Sequence, residues 1–161
     1  MGILIALHVL SAFLLAGGIL GRNAVLWQAA RATDVRAAAA LVNASGIIER
    51  LTIIPGSFAV LIFGLLATWS AHIPPLGFLQ GAPTNWLLIS LVLYISVMAL
   101  VPILFIPRGK IFDAALQEAE AKGEVTPALR TAFADPAVMA ARTYETFAIV
   151  LVIILMVTRP F

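Results

Sequence analysis

Long apolar runs limit what this chain can fold into. Residues 2–21 contain no charged side chain before Arg22, and residues 51–71 and 86–106 are also uncharged. About 20 apolar residues in a helix cross the roughly 30 Å hydrocarbon core of a bilayer. Because backbone polar groups need partners inside a bilayer, such runs cross it as helices. The sequence therefore predicts three membrane-spanning helices from these runs.

A fourth span is less obvious because residues 146–158 supply only thirteen uncharged positions. Asp135-Pro136 is typical of a helix start, with Asp as the N-cap and Pro at the first helical position. A helix from Pro136 to Thr158 would be roughly 35 Å long at about 1.5 Å per residue. Arg142 and Glu145 then lie on this helix, near its charged end.

Composition supports a membrane protein. Hydrophobic residues make up 62% of the chain, charged residues only 11%, and the mean hydropathy is +1.06. A soluble domain carries about 25% charged residues. We therefore predict an all-α, four-transmembrane-helix bundle that forms a single integral membrane domain, residues 1–161, with spans at about 2–27, 47–71, 86–106 and 136–158. Its expected partners are the lipid bilayer and either a membrane complex or a second copy, not nucleic acid.

The loops differ sharply in charge. Nine of the ten Lys and Arg residues lie in or beside the segments that join spans one to two and three to four, whereas residues 70–85 contain no charged side chain. Since basic loops remain in the cytoplasm, both termini are predicted to be outside. Short cytoplasmic helices are expected after Thr33 or Asp34 and before Gly123, with helix breaks at Gly46 and Pro107. Interface anchors are expected at three tryptophans: Trp27, Trp69 and Trp86.

His8 is the one histidine clearly inside a predicted span, because His72 falls just beyond span two. Neutral imidazole offers a nitrogen lone pair that can ligate haem iron or another metal. The alternative is a histidine hydrogen bonded across the helix interface to Ser90, Tyr94 or a backbone carbonyl. Tyr94 is expected at a similar depth, so a His8–Tyr94 contact is a further hypothesis.

Charged residues gather near the inner ends of three spans. They are Arg22, Glu49, Arg50, Arg142 and Glu145. Opposite charges at one depth can pair and fix the order of the helices. Alternatively, Arg22 or Arg142 holds the carboxylates of a porphyrin or the headgroup of an anionic lipid. The sequence leaves both interpretations open.

Several short motifs resemble known membrane families. Arg50-Leu51 through Pro55 to Gly64 is similar to the RL…P…G pattern of HemJ-type protoporphyrinogen oxidases. The run from Ala141 to Glu145, with the chain's final residues, resembles their R-x-x-N-E-x-P … V-K-P-F ending, and His8 with Gly18 resembles their haem-bearing helix. Over its whole length the chain resembles an uncharacterised family of bacterial four-span membrane proteins, a domain of unknown function distantly similar to HemJ and to CopD-type membrane domains.

The resemblance implies a multi-pass protein of the bacterial inner (plasma) membrane that binds haem b through His8, with Arg50 and Glu145 as supporting polar residues. HemJ proteins also use a lysine in their third span, but residues 86–106 contain none. Tyr144 and Thr146 replace the Asn and Pro that flank the glutamate. These departures argue against protoporphyrinogen oxidation and leave haem binding open.

Two hypotheses of different class follow. The first is a small haem b protein with a redox or electron-transfer role, which as an enzyme would be a haem-dependent membrane oxidoreductase. Its candidate cofactor-binding residues are His8, Arg22, Arg50, Tyr94, Arg142 and Glu145, with His8 on the iron. The second is a non-enzymatic structural or accessory subunit of a larger membrane complex, without a cofactor. Metal handling in the manner of CopD is disfavoured because the chain has two His and no Cys.

Overall fold

The computed structural model describes residues 2–159. Met1, Pro160 and Phe161 lie outside the described residues, and with them the last two positions of the C-terminal motif.

Helices joined by short turns make up the described chain, and no strand occurs in residues 2–159. The α-helices are α1 (Gly2–Arg31), α2 (Val35–Ile48), α3 (Ile54–Ser70), α4 (Trp86–Leu100), α5 (Ile106–Lys122), α6 (Pro127–Phe133) and α7 (Pro136–Thr158). A first π segment (Glu49–Ile53) joins α2 to α3, a second π segment (Val101–Phe105) joins α4 to α5, and a 3-10 turn covers Gly77–Gln80.

Four helical runs within residues 2–159 are long and apolar enough to cross a membrane: Gly2–Arg31, Val35–Ser70, Trp86–Lys122 and Pro127–Thr158. The predicted all-α, four-span architecture is therefore confirmed. The second and third runs contain 36 and 37 residues, or roughly 54–56 Å at about 1.5 Å per residue. Since the hydrocarbon core is only about 30 Å thick, both helices extend well beyond the membrane.

Both predicted helix breaks are wrong. Gly46 lies inside α2 and Pro107 lies inside α5, so the expected short helices in the charged loops are continuations of spans two and three. A single glycine costs a helix only about 1 kcal/mol relative to alanine, and the packing of α2 along α1 offsets that cost.

The π segments explain how the helices continue past proline. Proline has no N–H, and its ring clashes with the carbonyl four residues earlier. Pro55 and Pro107 each follow a π segment, where the N–H of Ile54 bonds to Glu49 O and that of Ile106 to Val101 O. The wider turn moves carbonyls relative to the proline ring, so the helix continues past both prolines, including Pro107, where the sequence predicted an end.

Predicted helix ends with side-chain caps are confirmed. Asp34 Oδ2 accepts from Ala37 N at 2.9 Å and starts α2. Asp135 Oδ1 accepts from Ala137 N at 2.9 Å and starts the 23-residue helix α7, the proposed fourth span. Gly123 ends α5 with a φ of +71°, a conformation that glycine adopts without strain.

The membrane helices form two pairs. Helix α3 packs along α1, and α7 packs along α4. Contacts between the two pairs are sparser, and we call this interface the seam. Polar side chains cross it: the Tyr94 hydroxyl donates to Ser57 O at 2.8 Å, Asn23 Nδ2 donates to Thr146 Oγ1 at 3.2 Å, and Arg22 pairs with Glu145.

Glycines allow α1 and α3 to approach closely. A Cβ on Gly56 would lie 3.0 Å from Leu15 N, and one on Gly18 would lie 2.9 Å from Ile53 Cγ1 and closer still to the Thr52 hydroxyl. Small residues allow this kind of backbone approach in membrane helix pairs. The first pair is thus held by close packing.

Outside the membrane, α2, α5 and α6 share a small apolar core. Buried Val35, Ala119 and Leu129 form its centre. The rings of Phe112 and Phe133 meet edge to face beside it, with centroids 4.9 Å apart. We call the end of the bundle that carries this core the charged end, and the end with residues 71–85 the neutral end.

Two of the three predicted tryptophan anchors face outward. Trp69 is 79% exposed, and Trp27 is exposed with the Arg31 guanidinium 3.4 Å from its ring centroid. Trp86 is only 8% exposed, so its predicted lipid-facing position is wrong. It begins α4 inside the bundle, and the Arg159 guanidinium lies 5.5 Å from its ring centroid.

Candidate functional site

His8 lies on α1 and faces α3. Its Nδ1 is 2.8 Å from Val60 O. A carbonyl oxygen can only accept, so Nδ1 donates its proton and the neutral ring keeps a lone pair on Nε2. Gly64 leaves space for the ring, because a Cβ there would lie 2.9 Å from His8 Cε1. The predicted hydrogen bond to a backbone carbonyl is therefore present, and it leaves one ring nitrogen unused by it.

A cavity of about 70 Å³ lies beside His8 in the seam. Its lining is mostly apolar and comes from both helix pairs, with Tyr94 and Ser90 on α4 and Met156 on α7. A second cavity of about 50 Å³ lies further along the seam, between residues such as Leu15 and Ala148. These volumes hold a few water molecules, and a porphyrin ring is far larger.

Tyr94 lines the same cavity as His8 but binds elsewhere. Its hydroxyl donates to Ser57 O at 2.8 Å, and no hydrogen bond joins His8 to Tyr94 among residues 2–159. The structure brings His8 and Tyr94 to the same cavity without a hydrogen bond between them. Both side chains instead donate to a backbone carbonyl of α3.

A buried ion pair closes the seam toward the charged end. Arg22 on α1 donates through Nη2 to Glu145 Oε2 on α7. The residues are only 7% and 4% exposed. The predicted pairing of charges from different helices therefore occurs for these two residues. Removing one partner from a buried pair is strongly destabilising, so the pair fixes α1 against α7.

Two polar atoms next to this pair have no protein partner. Arg22 Nε and Asn23 Oδ1 are buried and make no hydrogen bond within residues 2–159. Asn23 uses its Nδ2 on Thr146 Oγ1, which in turn donates to Arg142 O at 2.9 Å. The charged end of the seam therefore keeps one donor and one acceptor unused.

The remaining candidate arginines, Arg142 and Arg50, are less buried than Arg22. Arg142 is half-buried one turn before Glu145 on α7, and its charged neighbours are Arg22, Glu145 and Glu49. Its guanidinium forms no hydrogen bond or ion pair within the described part of the chain. Arg50 is exposed on the first π segment. Arg142 thus belongs to the ion-pair cluster, whereas Arg50 lies at its surface.

The six candidate cofactor residues form two groups and not one site. His8 and Arg22 are fourteen residues apart on one helix, or roughly 21 Å at about 1.5 Å per residue. Tyr94 lies with His8, while Arg142 and Glu145 lie with Arg22. A porphyrin whose iron is held by His8 cannot bring its carboxylates to Arg22 over that distance.

A multi-residue metal site is not found in the structure. Within residues 2–159, no three His, Asp or Glu side chains are close enough to hold one ion, and the chain contains no cysteine.

Comparison with known proteins identifies the family. A family model described as a predicted integral membrane protein (DUF2269) matches residues 2–160. The chain belongs to DUF2269. No curated protein and no solved structure matches it. The DUF2269 description agrees with the four apolar helices and gives no activity, and the resemblance to HemJ and CopD stays a prediction.

In this DUF2269 protein, sequence reasoning missed residues beside the His8 cavity and beside the Arg22–Glu145 ion pair. Asn23 and Thr146 each follow a member of the ion pair directly in the chain, which is a signal that could have been used. Met156 lines the His8 cavity, and no pattern in the sequence points to that position. The Val60 carbonyl could not be found, because every residue carries one.

Proposed function

We propose that this DUF2269 protein binds haem b in the seam, with His8 Nε2 as an axial ligand to the iron, and that it transfers electrons. The observation that supports the proposal is the hydrogen bond from His8 Nδ1 to Val60 O. Histidines that ligate metals almost always donate their other ring N–H to a carbonyl, carboxylate or water. That bond fixes the ring and directs the remaining lone pair.

The donor atoms near His8 suit a haem iron. The Met156 side chain lines the same cavity from the opposite helix pair, so its thioether would be available as a second ligand to a haem iron held by His8. The cavity of about 70 Å³ is small, so haem uptake requires the helix pairs to separate along the seam. The arginines at the charged end are not part of this proposal.

When bound, the haem supplies one-electron redox chemistry. The chain's own residues have simpler tasks. Val60 O orients the imidazole, and Gly64 gives the ring its space. The apolar lining excludes water, while the bond from Tyr94 to Ser57 O joins the two helix pairs beside the cavity.

An absorption spectrum of detergent-purified protein tests the proposal. We expect the wild type, expressed with haem supplied, to show a Soret band that His8→Ala abolishes. The matched control is His72→Asn, which changes the only other histidine in an exposed turn with a φ of +56°, where asparagine is tolerated. A wild type without haem, or a spectrum unchanged in His8→Ala, would overturn the proposal.

A second candidate function is a cofactor-free accessory subunit of a membrane complex. It is favoured by the closed seam, in which His8, Tyr94 and Arg22 all have protein partners. This function predicts purified protein without a Soret band and with a partner in a fixed stoichiometric ratio. Mass spectrometry of the complex extracted in mild detergent distinguishes it from the haem protein.

A further inference from the structure

The charged end holds a half-buried cation, Arg142, that has no direct counter-ion within the described residues. Glu145 pairs with Arg22, and Arg142 is left without an ion pair or side-chain hydrogen bond in residues 2–159. Burying a charge is costly unless it is paired. The half-buried position of Arg142 therefore favours an anion supplied from outside the chain.

Arg22 adds unused donor capacity beside Arg142. Its Nη2 is bonded to Glu145, but its Nε is fully buried and has no partner in the described chain. A guanidinium presents five N–H donors in a planar fork that suits the oxygens of a phosphate. The two arginines together can thus offer several donors to one tetrahedral anion.

The local charge also favours an anion. The charged neighbours of Arg142 are Arg22, Glu145 and Glu49, and of these Glu49 is exposed. The buried or half-buried members Arg22, Arg142 and Glu145 therefore leave a surplus of one positive charge even when Glu145 is ionised.

The depth of the cluster matches that of lipid headgroups. Arg22 lies twenty residues after Gly2 on α1, or roughly 30 Å along the helix axis, which is about the thickness of the hydrocarbon core. We propose that Arg142, supported by Arg22, binds the phosphate of an anionic phospholipid at the charged end of the bundle. This site is separate from the His8 cavity and does not depend on haem.

Lipid titration of the detergent-purified full chain tests the site. Phosphatidylglycerol should bind the wild type and raise its melting temperature, whereas phosphatidylcholine should have little effect. Arg142→Gln should weaken phosphatidylglycerol binding about tenfold or more, the size expected for losing hydrogen bonds to a charged group. Arg142→Lys keeps the positive charge but loses the planar guanidinium. Its affinity for phosphatidylglycerol should therefore lie between those of the wild type and Arg142→Gln.

Arg36→Gln is the matched control, because it removes one exposed positive charge on α2 that has no ion pair in the described residues. It should bind phosphatidylglycerol as the wild type does. Equal affinity of wild type and Arg142→Gln would overturn the proposal, as would equal losses in Arg142→Gln and Arg36→Gln. Inorganic phosphate binding as tightly as the lipid, with the same dependence on Arg142, would assign the site to a soluble anion instead. If Arg142→Gln does not fold, the comparison of Arg142→Lys with wild type decides.

Discussion

Glu145 supplies the carboxylate that neutralises the buried charge of Arg22. Glu145→Gln keeps the shape and an acceptor oxygen but removes the negative charge, which leaves a 7%-exposed arginine without a counter-ion. We expect it to lower the free energy of unfolding by about 3 kcal/mol, the lower end for breaking a buried pair. Equilibrium unfolding in detergent measures the difference.

The double variant Arg22→Met with Glu145→Leu is the control for this prediction. Because it removes both charges, no ion is left buried, and apolar replacements of buried pairs are often neutral. Most of the lost stability should return. A double variant as unstable as the sum of the single variants Arg22→Met and Glu145→Leu would show that the two side chains act independently.

Single residues show what the sequence could and could not reveal about the sites. His8, Arg22 and Glu145 were identified because polar groups inside apolar runs are rare and costly. Their partners were harder to predict, since pairing depends on how the helices are arranged around one another. His8 binds a backbone oxygen of α3, which has no signature in the sequence. Helix rise alone separates His8 from Arg22 by roughly 21 Å, so the candidate residues fall into two groups.

At the scale of elements, the crossing of α1 with the first π segment depends on Gly18. Gly18→Ala would place a Cβ 2.9 Å from Ile53 Cγ1 and even closer to the Thr52 hydroxyl. Overpacking of this kind costs typically about 1–3 kcal/mol. We expect a lower melting temperature for Gly18→Ala in detergent.

Gly17 provides a neighbouring control on the same helix. A Cβ at Gly17 would meet no atom within 4 Å, and alanine is better than glycine in a helix by about 1 kcal/mol. Gly17→Ala should therefore be neutral or slightly stabilising. Equal destabilisation by both substitutions would mean that glycine is needed for a reason other than this contact.

Helix starts could be predicted and helix continuity could not. Asp34 and Asp135 cap helices through local hydrogen bonds, which depend on nearby residues only. Whether a helix ends at proline depends on whether the turn before it can widen. The π segments before Pro55 and Pro107 are widened turns of this kind. No local pattern in the sequence distinguishes a proline that follows such a turn from a proline that ends a helix.

At the scale of the whole molecule, the uneven distribution of charge predicts the orientation in the membrane. The charged end carries nine of the ten Lys and Arg residues, and the turn at the neutral end carries none. From the positive-inside rule we expect the charged end to face the cytoplasm and both termini to face outward. The chain has no cysteine, so a single introduced cysteine reports the side of the membrane on which it lies.

Thr84→Cys and Glu120→Cys test this orientation. Both positions are exposed, at the neutral end and on α5 at the charged end respectively. In spheroplasts, a membrane-impermeant maleimide should label Thr84→Cys directly and should label Glu120→Cys only after the membrane is permeabilised. The reverse pattern would show that the chain inserts against its charge bias. Labelling of both cysteines in sealed spheroplasts would show a mixture of two orientations, and the phosphate site at the charged end would then face either leaflet.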